Sequence, residues 1–191
     1  MFFDKATKQV FLFPTKVGTM SARHFLGSIG WHGKMPIHGK PNQLLDKYPN
    51  LDNYSFFGFF RDPVSRFESA ILHLKQMPSI LNSNLDNFLN GTSRENARYE
   101  LFLSNEFLSL FPVVFDRQVD WLDHPKVTPL DFDNFESELR RVTGNTTQPL
   151  ERRNANTDFG RQEITDDVRA FVREYYAADY ALAKDRLGKE Y

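Results

Sequence analysis

The stretch Tyr54-Ser55-Phe56-Phe57-Gly58-Phe59-Phe60 is apolar on both of its alternating faces. A strand of that kind must be covered from two sides, which restricts the chain to architectures in which helices flank a sheet. The run leads directly into Arg61-Asp62-Pro63, where Asp62 is a good N-cap and Pro63 a good first helical residue. Phe67, Ala70, Ile71 and Leu74 then space the buried stripe of a helix, leaving Asp62, Arg66, Ser69 and His73 on its opposite side. An earlier segment repeats this order. Val10 to Phe13 is a short β-prone run ended by Pro14, the turn Lys16-Val17-Gly18-Thr19 follows, and Ala22, Phe25, Leu26 and Ile29 mark one helical face that Gly30 is placed to cap.

Residues 31 to 53 are rich in Gly and Pro and read as a long loop with one helical turn near Gln43 to Lys47. Thr92-Ser93-Arg94-Glu95 has the form of a capping box and predicts a helix to about Leu110, where Phe111-Pro112 breaks it. A short strand is expected over Lys126 to Leu130 and a helix over Phe135 to Val142. The longest helix is expected over Thr165 to Leu187, with Asp166 and Asp167 in its first turn and Lys184 and Arg186 in its last. Strands alternating with helices predict an α/β fold with a mainly parallel central sheet flanked by helices. With 191 residues and no linker or repeat, residues 1–191 read as a single domain.

Composition removes several chemistries. Cys is 0, so there is no disulfide framework, thiolate metal site or cysteine nucleophile. Lys+Arg 24 against Asp+Glu 25 gives a net charge of -1, which argues against a nucleic-acid partner and makes any anion site local. His24, His32, His38, His73 and His124 lack metal-ligand spacing, so no metal is expected. The opening Met-Phe-Phe-Asp-Lys has no signal-like n-region, and no apolar run approaches the ~18 residues of a membrane span, so the reading is a cytoplasmic chain without a membrane partner. The sequons at Asn90 and Asn145 are read as chance.

Pro14-Thr15-Lys16-Val17-Gly18-Thr19-Met20-Ser21 sets a small-residue turn and a lysine where a helix begins. Backbone N–H groups, the helix dipole and the ammonium together suit an anion. The lysine precedes the glycine, unlike the nucleoside-triphosphate loop, and no Gly-x-Gly-x-x-Gly is present. At the second junction Arg61 can grip a phosphate with its fork, and Ser69 can add a hydroxyl to the same group. Arg66 is read as a surface partner of Asp62, four residues before it.

Lys-x-Gly-Thr after one strand and Arg-Asp-Pro-x-x-Arg-x-x-Ser after the next together resemble the sulfotransferases that use 3′-phosphoadenosine 5′-phosphosulfate. Gln118-Val119-Asp120-Trp121-Leu122, Phe135-Glu136-Ser137-Glu138-Leu139 and Arg153-Asn154-Ala155-Asn156, with Tyr175, Tyr176 and Asp179 beyond, are similar to the carbohydrate branch of that family. The resemblance implies a three-layer P-loop-like fold and transfer of a sulfuryl group to an acceptor hydroxyl, on a glycan. Lys16, Val17, Gly18, Thr19, Met20 and Ser21 would hold the 5′-phosphosulfate, Arg61 and Ser69 the 3′-phosphate, and Arg152 or Arg153 would close over it. It also places the base in the loop between the motifs, where Ile37-His38-Gly39-Lys40 makes His38 the candidate, ahead of His32 and Asp46. Lys16 would be catalytic as well as binding. The chain departs from the family in placing Thr15 between Pro14 and Lys16 and Met20 where a hydroxyl residue is usual. Trp31 and Trp121 have the chemistry to stack on adenine or sugar and are assigned to neither. The first forty residues carry Lys5, Lys8, Lys16, Arg23, Lys34 and Lys40 against Asp4 alone, a local positive field. The alternatives are a P-loop small-molecule kinase and a non-catalytic binding module that keeps the nucleotide pocket.

Overall fold

The computed structural model describes residues 1–33, 38–77, 83–151 and 160–191. Five strands, β1 (Phe2–Asp4), β2 (Gln9–Leu12), β3 (His32–Gly33), β4 (Ser55–Phe60) and β5 (Val127–Asp131), form one sheet in the order β3-β1-β2-β4-β5. β4 pairs in parallel with both β2 and β5, while β1 is antiparallel to β2 and β3. The sheet is therefore mixed, parallel in its core and antiparallel at one edge, rather than mainly parallel. The cause is local: Asp4 accepts bonds from the Thr7 amide (2.9 Å) and hydroxyl (2.6 Å), and this turn folds Phe2–Asp4 back onto β2.

Helices cover both faces, as the all-apolar β4 requires. On one side Phe11, Phe59 and Leu130 pack against Phe25 and Leu26 of α1 (Thr19–Ser28) and Leu139 of the helix Phe135–Thr143. On the other, Val10, Leu12, Phe56 and Phe60 meet Leu44 of α2 (Pro41–Lys47), Trp121 and Leu122 of the short helix Val119–Leu122, and Leu182 near the C-terminus. Gly58 allows the close approach here, because a Cβ at that position would lie 2.7 Å from Leu122 Cδ2. A third core, built from Phe67, Phe102, Phe107, Phe115 and Val172, contains no strand residue. It joins α3 (Pro63–Gln76) to α4 (Ser83–Leu89), α5 (Asn105–Leu110), α6 (Pro112–Phe115) and the helix Asp166–Tyr175.

Three expected elements come out differently. Residues 92 to 110 are not one helix: a 3-10 turn at Tyr99–Phe102 comes first, and Ser104, which accepts from the Phe107 amide, starts α5 afresh. Completing the helices, α7 is Val119–Leu122, α8 is Phe135–Thr143, and the expected Thr165–Leu187 helix divides at Tyr176 into α9 (Asp166–Tyr175) and α10 (Ala177–Leu187). The loop after residue 30 contains β3, α2 and a 3-10 turn at Pro49–Asn53. Among the described residues no helix is long and apolar enough to cross a membrane.

Candidate anion site

The loop Pro14–Gly18 leaves the carboxyl end of β2 and opens α1. Gly18 is its N-cap in a left-handed conformation, φ 72°, and no side chain caps the first turn. A Cβ on Gly18 would lie 2.9 Å from Phe135 Cε2 and 3.1 Å from Phe132 Cε2, so the position needs glycine for space as well as for φ. Lys16 is also left-handed, φ 63°, a conformation that costs a side-chain-bearing residue about 1–3 kcal/mol and survives only when its surroundings impose it. Thr19 turns its hydroxyl back to the Pro14 carbonyl (3.4 Å), Ser21 is buried, and Met20 is exposed beside Arg23.

Arg61 comes to this loop from the end of β4. Its Nη1 donates to the Lys16 carbonyl (2.9 Å), and its Nε and Nη2 donate to Ser65 Oγ (3.0 and 2.8 Å), which among the described residues leaves further guanidinium N–H groups for a ligand. The guanidinium lies 5.0 Å from the Phe132 ring centroid. Its backbone is fixed by Gln118, which accepts from the Arg61 amide (2.9 Å) and donates to the Arg61 carbonyl (2.8 Å). Gln118 is itself held, because its amide and that of Val119 donate to the buried Asp179 carboxylate, each at 3.0 Å. Burial, and then the Arg61 charge, pull the Lys16 ammonium down to about 8, and burial lowers Arg61 as well. Among the described residues neither cation forms an ion pair. Two partly desolvated positive charges thus lie together by the start of α1, and the nearby Glu68, Asp62 and Asp133 carboxylates offset part of the lowering at Arg61.

Asp62 caps α3 as expected, accepting from the Val64 and Ser65 amides. Arg66 does not pair with it on the surface. The guanidinium is buried and donates to the Thr15 carbonyl and hydroxyl and to the Asp116 carbonyl, because the side of α3 away from Phe67 and Ile71 faces the loop and residues 114–116 rather than water. Ser69 is buried on this same side. His73 follows, and partial burial and then the Lys16 charge hold its imidazole below the usual value.

His38 sits at the end of β2. Its Nδ1 is 2.6 Å from the Phe13 carbonyl oxygen, which can only accept, so Nδ1 carries a proton and in the neutral ring Nε2 is the acceptor. The Trp121 indole donates to the His38 carbonyl (3.3 Å), and Lys40 bridges Asp120 (2.8 Å) and Asp116 (3.2 Å) over the Trp121 ring. The other expected bases are elsewhere. His32 is exposed on edge strand β3 against Phe3, and Asp46 is on the exposed face of α2. Trp31 and Trp121 are buried in the cores. Arg152 and Arg153 lie outside the described residues. Among the described residues no group of three or more His, Cys, Asp or Glu side chains is placed to hold a metal ion. A hollow of about 230 Å³ beside Asp62 is lined by Arg169, Arg173, Tyr180 and Tyr191 and does not include Lys16, Arg61 or His38.

Sequence reasoning missed the parts of Arg66 and Gln118. A signal existed for the first, since Arg66 shares a helix stripe with Ser69, whereas the partners of Gln118 are long-range. Comparison with protein-family models, with curated proteins and with solved structures finds no match.

Proposed function

We propose that this protein is a sulfotransferase with a P-loop-like fold that uses 3′-phosphoadenosine 5′-phosphosulfate and acts on an acceptor hydroxyl of a glycan. The observation that carries the reading is the pair Lys16 and Arg61, two partly desolvated cations side by side at the uncapped start of α1 that, among the described residues, form no direct ion pair. Phosphate or sulfate oxygens suit a helix N-terminus, an ammonium and a guanidinium fork together. When bound, 3′-phosphoadenosine 5′-phosphosulfate supplies the sulfuryl group. Lys16 and the amides from Val17 to Ser21 bind its 5′ end, and Arg61 and Ser69 bind its 3′-phosphate. His38, fixed through Nδ1, takes the acceptor proton at Nε2. Lys16 provides positive charge where negative charge increases during transfer.

Calorimetry with adenosine 3′,5′-bisphosphate, AMP and ATP, followed by a labelled-sulfate transfer assay on mixed glycans, tests this reading. The bisphosphate should bind more tightly than AMP. Arg61→Ala should lose about ten- to a hundredfold in bisphosphate affinity, the equivalent of charge-assisted bonds of roughly 1.5–3 kcal/mol, and should narrow the selectivity over AMP. Equal wild-type affinity for AMP and bisphosphate removes the assignment of Arg61 and Ser69. Preference for ATP favours the kinase alternative, and binding without transfer favours a binding module.

A further inference from the structure

We propose that Arg66 is a positioning residue, which holds Lys16 in its working orientation by gripping the preceding residue, Thr15; the functional part of this inference rests on the anion-binding role given to Lys16 above. Arg66 is 1% exposed. Its Nε donates to the Thr15 carbonyl (3.1 Å), and its Nη2 is directed at the Thr15 hydroxyl (3.1 Å) and the carbonyls of Asp116 (2.5 Å) and Val114 (3.4 Å). The Thr15 hydroxyl in turn donates to the Val114 carbonyl (3.0 Å), so both of its polar functions are engaged with its neighbours. Tyr176 supports the arrangement from behind, with its ring 5.5 Å from the guanidinium and its hydroxyl bonded to the Phe115 carbonyl (2.9 Å).

The consequence for Lys16 comes from the planarity of the peptide unit. Arg66 fixes the plane between Thr15 and Lys16 through the Thr15 carbonyl, while Arg61 fixes the plane between Lys16 and Val17 through the Lys16 carbonyl. With the planes on both sides held, the dihedrals of Lys16 have little freedom, and they hold at φ 63°. Its Cβ direction follows. The ammonium is thereby kept beside Arg61, away from the freely hydrated positions that a flexible lysine prefers. Without the first grip, the Thr15–Lys16 plane can turn, Lys16 can return to negative φ, and its side chain can reach water.

The experiment compares wild type with Arg66→Lys, which keeps the positive charge and loses the planar fork, and with Thr15→Val, which keeps the shape and removes the hydroxyl. The Lys16 side chain is titrated by NMR in lysine-labelled protein, with Lys16→Arg identifying the signal. In wild type the midpoint should lie near about 8. In folded Arg66→Lys it should rise toward the ordinary value of 10.5, and in Thr15→Val it should move the same way by less. Thr15→Val also decides the matter should Arg66→Lys fail to fold. In the transfer assay both variants should lose about ten- to a hundredfold in kcat with little change in KM for the acceptor. A Lys16 signal that titrates as in wild type in the folded variants overturns the positioning role. The titration needs no turnover, so a wild type that transfers no sulfate removes the functional reading while the grip on Lys16 is still decided.

Discussion

Lys16 combines two unfavourable circumstances, a left-handed backbone and an ammonium that is partly desolvated beside Arg61. A residue that had only to be soluble would have neither. Lys16→Met keeps the bulk and removes the charge, and it should lower turnover by about 10²–10³ while reducing bisphosphate affinity much less. Intact turnover with only a raised KM for the sulfuryl donor would show that Lys16 merely binds. The group is charged below about 8, so transfer that depends on that charge should fall as pH rises through this value. His38 has a different task, and its fixed Nδ1 leaves one nitrogen for the acceptor. His38→Ala should keep bisphosphate binding and lose about 10²–10⁴ in transfer rate, whereas His32→Ala, altering an edge strand, should change little. Loss of transfer in the His32 variant alone would move the base to that residue.

At the scale of the elements, the β2 to α1 turn works because Gly18 lets two phenylalanine rings close over it. Gly18→Ala introduces a Cβ 2.9 Å from Phe135 Cε2 in a left-handed position, and Phe135 can yield little because its ring lies 4.4 Å from that of Phe59. Gly144, at the end of α8, has nearly the same φ, 68°, and nothing within 4 Å of a Cβ. Denaturant unfolding should show about 1 kcal/mol lost in Gly144→Ala and a further 1–3 kcal/mol or so in Gly18→Ala. Equal losses would mean that the rings move aside freely. The β4 to α3 junction was legible in the sequence, because an apolar strand, an Asp cap and a first-turn Pro are all local signals. β1 was not, being short and defined by its pairing with β2. The division at Tyr176 was also hidden, since the apolar spacing continues across it while its cause, the buried Tyr176 and Asp179 bonding to Phe115, Gln118 and Val119, is some sixty residues away in sequence. Arg66 misled for a similar reason: a partner four residues before it is visible in sequence, and Thr15 is not.

For the molecule as a whole, the helical core without strands is what supports the site. It carries residues 114–116, on which Arg66 and Thr15 lean, and it borders Asp179, through which Gln118 fixes Arg61. The carboxyl ends of β2 and β4 thus meet at a place braced from the sheet and from the helices. Because the Lys16 ammonium is lowered from 10.5 to about 8, the unfolded chain binds more protons than the folded one between those values, and this residue carries a stability penalty, full below about 8, that is relieved as pH rises across that window. A bound polyanion reverses the balance by favouring the protonated lysine. Binding of the bisphosphate at a pH just above 8 should therefore draw a proton from solution, and the calorimetric heat should change with the ionisation enthalpy of the buffer. Lys16→Met should remove that dependence. The neighbouring cations Lys16 and Arg61 at the start of α1 would then couple the arrival of the ligand to proton uptake, so that the nucleotide and the hydrogen ion bind as a linked pair.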